Sequence, residues 1–168
     1  MIKAGDGFRR SDGERLTFRK TAQETGGKVL EVEVVYRPRS PAPPPHYHPF
    51  QEEQFEVLGG AMHARIGARG RTYRAGDTFT VPRGTPHTMH NIADEEARVI
   101  WRVLPALRTA ELFEAMWTLP DEKRNLFSIA AIIRDFSTEL RLSRPPYLVQ
   151  RPLFALLAPL GRILSRRR

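Results

Sequence analysis

Cysteine is absent from all 168 residues. That excludes disulfides, thiolate metal ligands and a cysteine nucleophile, without fixing the compartment. No stretch reaches the ~18 apolar residues of a membrane-spanning helix. The start, MIKAGDGFRRSDGERLTF, holds no apolar run of the kind a secretory signal needs, so a cytoplasmic protein is expected. Acidic residues are missing from the segment 144–168. Its arginines at 144, 151, 162, 166, 167 and 168 account for six of the chain's eight excess positive charges. A basic excess confined to one tail implies an anionic partner or surface, not a nucleic-acid-binding domain. Aromatic and basic residues are not interleaved, and no nucleic-acid motif is present, so no nucleic-acid partner is expected.

What remains is the composition of one globular domain, 40% hydrophobic and 27% charged, long enough for a core and an appendage. Fourteen prolines and twelve glycines favour short strands joined by turns. Residues 28–36, KVLEVEVVY, put Leu30, Val32, Val34 and Tyr36 on one parity, as a half-buried strand requires. The proline-rich segment 38–45 ends that strand as a semi-rigid extended lead-in. Strand-like runs follow at 46–49, 53–58, 61–66, 71–75, 78–82, 87–91 and 97–104, separated by the turn signals GG, GARG, AGD and PRGTP. Such a series predicts an all-β sandwich or barrel over residues 1–105. Beyond it, 107–117 and 121–140 carry helical spacing, the second through Leu126, Ile129, Ile133, Phe136 and Leu140. Pro145 and Pro146 are expected to end the second helix. The apolar run 152–164 is interrupted by Pro159 and closed by arginines. A helical arm, 106–168, is thus predicted after the β domain.

The chemistry is concentrated in PPPHYHPFQEEQFEVLGG, residues 43–60. In extended chain, His46 and His48 point to one face and Tyr47 to the other. Glu53 shares the parity of Phe55 and Val57, which faces a core, where a carboxylate is costly unless a cation compensates it. Glu56 has the opposite parity and reads as a surface charge. In GDTFTVPRGTPHTMHN, 76–91, a turn delivers His87 on the parity of Met89 and Asn91. Three imidazoles and one carboxylate form an N3O donor set suited to Mn, Fe, Co, Ni, Cu or Zn, and too rich in nitrogen for Ca or Mg. His63 and His90 fall outside this pattern and suit surface or hydrogen-bonding positions. Met62, Tyr73, Phe79, Met89 and Trp101 either fill a barrel core or line a ligand cavity. Gln51 and Glu52 either orient an imidazole or belong to a solvated loop.

These two segments resemble the paired signatures of the cupin superfamily. The first signature is Gly, five residues, HxH, three or four residues, Glu, six residues, Gly. Here it reads His46-Tyr47-His48, four residues, Glu53, six residues, Gly60. The second is matched throughout by Gly76, Pro82-Arg83-Gly84, His87 and Asn91. Ser40 replaces the leading glycine of the first, which bears on the entry turn more than on the ligands. Gly60 lies at the family's distance from Glu53, not from Glu52. The resemblance covers about residues 28–104 and is nearest to small single-domain, dioxygenase-like members. It implies a double-stranded β-helix or jelly-roll barrel with His46, His48, Glu53 and His87 as metal ligands.

Four such ligands leave one or two coordination positions open. A redox-active divalent ion there permits oxygenase chemistry on a small enol- or phenol-bearing compound, with Glu53 as the catalytic base. A metal-dependent isomerase or decarboxylase, and a non-catalytic cupin that binds or senses a small molecule, are the alternatives. A homodimer is expected from the family's habits and the apolar C-terminal helices. For the tail, packing against protein is favoured over an anionic membrane surface, because a helix with an apolar stripe needs a partner.

Overall fold

The structure, a computed structural model, describes the backbone of residues 1–165 and the side chains of residues 1–157. The tail arginines at 162, 166, 167 and 168 therefore lie outside the described side chains. Ten strands precede the first helix: β1 (Gly7–Arg9), β2 (Arg15–Lys20), β3 (Leu30–Tyr36), β4 (His46–Tyr47), β5 (Glu52–Gly59), β6 (Ala61–Ile66), β7 (Arg69–Arg74), β8 (Thr78–Val81), β9 (His87–Asn91) and β10 (Ala97–Leu104). Helix α1 (Thr109–Trp117), a 3-10 turn (Asp121–Lys123), helix α2 (Leu126–Asp135), the short strand β11 (Arg141–Leu142) and helix α3 (Tyr147–Ser165) complete the chain.

The strands form two antiparallel sheets, in the orders β1-β2-β3-β10-β5-β8 and β11-β4-β9-β6-β7. They pack face to face as a jelly-roll. Alternation decides which side chains fill the space between them. Phe55 and Val57 of β5, Phe79 and Val81 of β8 and Val99 of β10 meet Met62 and Ala64 of β6, Tyr73 of β7 and Met89 of β9. Of the five residues that could have lined a cavity, four are therefore buried filling, and Trp101 packs partly buried against them. On β3 the predicted parity is realised, with Leu30, Val32 and Val34 fully buried in a second cluster with Leu16, Phe18, Val103 and Phe113. The opposite face of the same sheet is ionic. Arg102 pairs with both Glu31 and Glu56, and Glu33 lies between Arg19 and Arg98.

Gly60 makes the β5–β6 turn possible. Its φ is +75°, and a Cβ there would stand 2.7 Å from the Ala97 Cα and the Glu96 carbonyl oxygen. Ser40, in the place of the family's glycine, is buried and works through its hydroxyl, which accepts from the Asn91 N–H at 2.9 Å. The Asn91 side chain then donates to the carbonyls of Arg37 and Glu95. The two signature segments are thereby tied to each other at the far end of β9.

Gln51, just before β5, is neither solvated nor a partner of an imidazole. It is buried, and its Nε2 donates to the Pro105 carbonyl at 2.8 Å, the Ala106 carbonyl at 3.2 Å and Thr109 Oγ1 at 2.7 Å. It therefore fixes the start of α1 against the entry to β5. Gln51→Ala leaves these acceptors without the donor and is expected to destabilise the fold by roughly 2–3 kcal/mol. Urea denaturation measures this, and a loss below about 0.5 kcal/mol rules out the role.

Three expectations from the sequence are corrected. Residues 121–140 are not one helix. A 3-10 turn comes first, and Asn125 caps α2 by accepting from the N–H groups of Phe127 and Ser128. Second, α2 stops at Asp135, ten residues before Pro145, and a turn over residues 136–139 leads into β11, which pairs with β4. Third, the backbone of α3 continues helical through Pro159. A proline removes one helical hydrogen bond, but Phe154 and Leu157 pack against Ala130 and Ile133 of α2 and hold the helix.

Candidate metal centre

Four side chains from the two sheets meet at one end of the jelly-roll. His46 lies in β4, His48 follows it, and His87 opens β9 directly opposite His46. Glu53 comes from β5 in the facing sheet. A ring nitrogen of each histidine lies within 4.8 Å of those of the other two, the spacing of groups able to share one metal ion. The ring centroids are 4.5 Å apart for His46–His87 and 5.3 Å for the other two pairs. Glu53 Oε1 is 3.1 Å from His48 Nε2, and its Oε2 is 2.9 Å from His87 Nε2. Glu53, His48 and His87 are buried, whereas His46 is half-buried, so the site is approached from the His46 side.

Each imidazole is oriented by a backbone carbonyl. Nδ1 of His46 lies 2.9 Å from the Pro44 oxygen, that of His87 lies 3.1 Å from the Thr85 oxygen, and that of His48 lies 2.6 Å from the Glu139 oxygen. A carbonyl only accepts, so each Nδ1 carries a proton, and each Nε2, once it gives up any proton shared with Glu53, presents its lone pair toward the common centre. The local turns serve this arrangement. Gly84, at φ +74°, donates its N–H to the His48 carbonyl at 2.7 Å, so the PRG turn is anchored to the HxH segment before His87 is delivered.

The electrostatics favour a cation among these groups. Burial alone raises the Glu53 carboxyl, but the facing His48 and His87 imidazoles outweigh it and hold it well below the usual carboxylate range. Burial disfavours charge on His48, yet the Glu53 carboxylate outweighs that and shifts it up. Burial and the neighbouring imidazoles push His46 down to about 3, so it is a neutral donor at pH 7. Among the described residues, His48 Nε2 and Glu53 Oε2 have no aligned hydrogen-bond partner although both are buried. Nitrogen lone pairs and a carboxylate oxygen crowded together without hydrogen bonds suit a divalent ion between them. The residues present thus fit a metal.

Three groups that support the site were not assigned that role from the sequence. Trp101 Nε1 donates to Glu53 Oε1 at 3.1 Å, leaving Oε2 as the oxygen free to ligate. Its position on β10, opposite Phe55 and two residues from the partner of Glu53, was the available signal. The Glu139 carbonyl carries no signal at all, since any residue has one. It reaches His48 because β11 adds to the edge of β4, pairing Arg141 with Tyr47 and Leu142 with His46. The third partner, Gln150, anchors β11 from α3. His63 and His90 meet edge to face with ring centroids 5.7 Å apart and do not join the cluster.

Trp101→Phe keeps a ring between Phe55 and Phe113 but removes the donor that fixes Glu53. Metal affinity is expected to fall about tenfold, as for loss of an outer-shell partner. Competition with a chromogenic chelator measures it, and unchanged affinity shows that the bond has no part in binding.

Among known proteins, the family model for the cupin domain matches residues 32–103. Germin-like protein 5-1 of Oryza sativa subsp. japonica is 40% identical over 63 residues, 32% of this chain and 26% of that protein. Polyketide synthase CurC of Streptomyces cyaneus is 32% identical over 60 residues, 36% of this chain and 39% of that protein. The chain spans less than half the length of the curated relatives it matches. Of solved structures, an RmlC-like cupin from Shewanella frigidimarina superposes with a TM-score of 0.52 at 16% identity, over 63% of this chain and 88% of that one. Oxalate decarboxylase of Lactobacillus farciminis gives a TM-score of 0.52 at 16% identity, over 61% of this chain and 31% of that one. At such identities the likeness is one of fold.

Proposed function

We propose that this chain, whose residues 32–103 match the family model for the cupin domain, holds one divalent transition-metal ion through His46, His48, His87 and Glu53 and acts with it on a small oxygenated compound of the enol or phenol type. The observation that carries this reading is the common orientation of the three imidazoles. Each Nδ1 is committed to a carbonyl, so all three Nε2 lone pairs converge beside a buried carboxylate with one oxygen free. When bound, the ion supplies Lewis-acid and, if it is redox-active, electron-transfer chemistry.

The protein's residues set the rest. Trp101 fixes one oxygen of Glu53, and Oε2 is the atom available as ligand or as acceptor of a hydroxyl proton. A carboxyl held this low is a weak base, so ligation is its first role. Phe55, Tyr73, Phe79, Met62 and Met89 fill the interior, which limits the compound to a small one entering past His46. The same filled interior favours a second reading, a cupin that binds or senses a small molecule without converting it.

Metal analysis of the purified protein, followed by oxygen uptake with flavonols, catechols and diketones, separates the two readings. Iron, nickel or manganese at one per chain with uptake is the expected result for the enzyme. Zinc without turnover favours the binding module, and a protein with no bound metal under any loading condition removes both.

A further inference from the structure

Helix α3 has two apolar faces, and α2 covers only one. Phe154 and Leu157 pack onto α2, and Gln150 is buried on the same side. On the other side Leu148 is 83% exposed, Leu156 73% and Val149 51%. At 3.6 residues per turn, positions 148, 149, 152, 153 and 156 fall within one arc of about 140°. The sequence continues this spacing with Leu160, Ile163 and Leu164. Beside the arc, an apolar groove of about 210 Å³ opens between α2 and α3, lined by Leu126, Ile129, Leu142, Leu153 and Leu157. So much exposed leucine on one helix marks a surface that meets another apolar phase.

Charge identifies that phase. Glu139 is the last acidic residue of the chain, and seven arginines follow it, at 141, 144, 151, 162, 166, 167 and 168. Arg144 and Arg151 are exposed. A second copy of the chain would set the same positive helix against itself, whereas an anionic bilayer offers the opposite sign. Among the described residues, no helix is long and apolar enough to cross a membrane.

We propose that α3 lies along an anionic lipid surface, with its outer apolar arc at the acyl boundary and its arginines on the lipid phosphates. That geometry is the one an amphipathic basic helix adopts. Each arginine near the surface strengthens binding about fivefold, and the attraction weakens in salt. The metal centre would then work beside the membrane, although the proposal does not depend on any metal being bound.

Co-sedimentation of the full-length protein with vesicles tests it. The protein is expected to pellet with phosphatidylcholine mixed with phosphatidylglycerol, to bind pure phosphatidylcholine at least about tenfold less well, and to be released by high salt. The double variant Leu148→Glu, Leu156→Glu changes only exposed positions, and it should retain the circular dichroism of the parent. Its binding is expected to fall at least about tenfold, and that of Arg144→Gln, Arg151→Gln by a similar factor. Equal pelleting of parent and leucine variant overturns the proposal. So does a failure of the parent to bind vesicles while the variant loses a dimer in sedimentation equilibrium, which assigns the face to a second copy.

Discussion

His48→Ala and His87→Ala each lose stoichiometric metal. Both rings are buried, both face Glu53 across about 3 Å, and each has its Nδ1 committed to a carbonyl. Removing either leaves two imidazoles and one carboxylate around a cavity that only water can complete. Loss of an outer-shell partner costs about 10–100-fold in affinity, and loss of a direct ligand costs more. Either variant also leaves the Glu53 carboxylate, which is fully buried, with a single imidazole to balance it. His63→Ala is the control, since His63 contacts Thr72 and His90 rather than the cluster, and it is expected to keep one metal per chain. Elemental analysis after dialysis against a trace-metal buffer measures all three. Full occupancy in either of the first two variants removes that residue from the ligand set.

The parts of the site legible in the sequence are those that depend on strand parity. His46 and His48 share a face, Glu53 shares the parity of Phe55 and Val57, and His87 sits on that of Met89 and Asn91, because side chains alternate in extended chain. Seven of the strands were also marked by turn residues whose conformations only a few amino acids adopt, such as Gly60 and Gly84. Strands β1 and β2 were not read, although Leu16 and Phe18 alternate with polar neighbours in RLTFRK. That segment has two buried residues among charges, too few for a periodicity to stand out.

The C-terminal half was misread for a different reason. The spacing Leu126, Ile129, Ile133, Phe136, Leu140 is helical throughout, but Leu140 reaches the same apolar cluster as Ile133 from the end of the turn that follows α2 rather than from a helix face. Periodicity reports which residues are buried together, not by which backbone path they arrive. The Asn125 cap was the local signal for the true start of α2. Nothing local reports that residues 139–143 cross to the metal end of the jelly-roll, because that depends on an unpaired edge of β4.

Gln150→Ala is expected to weaken metal binding by about 10–100-fold without touching a ligand. The Glu139 carbonyl, 91 residues from His48 in sequence, orients its ring only while β11 stays on β4. That attachment is short: two residue pairs and the Ser143 N–H donated to the Pro45 carbonyl at 2.9 Å. Two-stranded pairings of this length are marginal by themselves. Gln150, which is buried, adds the missing restraint. Its Nε2 donates to the Leu142 carbonyl at 2.7 Å and the Pro145 carbonyl at 2.5 Å, fastening the strand to α3. Without it two carbonyls lose their donor at a cost of roughly 1–3 kcal/mol, comparable with the stability of a local opening. The strand then detaches part of the time, His48 rotates freely, and the three lone pairs no longer converge. Two readouts separate this from general destabilisation. Hydrogen exchange at Ser143 should accelerate while amides in β6 and β9 stay protected, and metal affinity should fall in parallel. Fast exchange at Ser143 with undiminished metal binding would show that His48 keeps its orientation without Glu139.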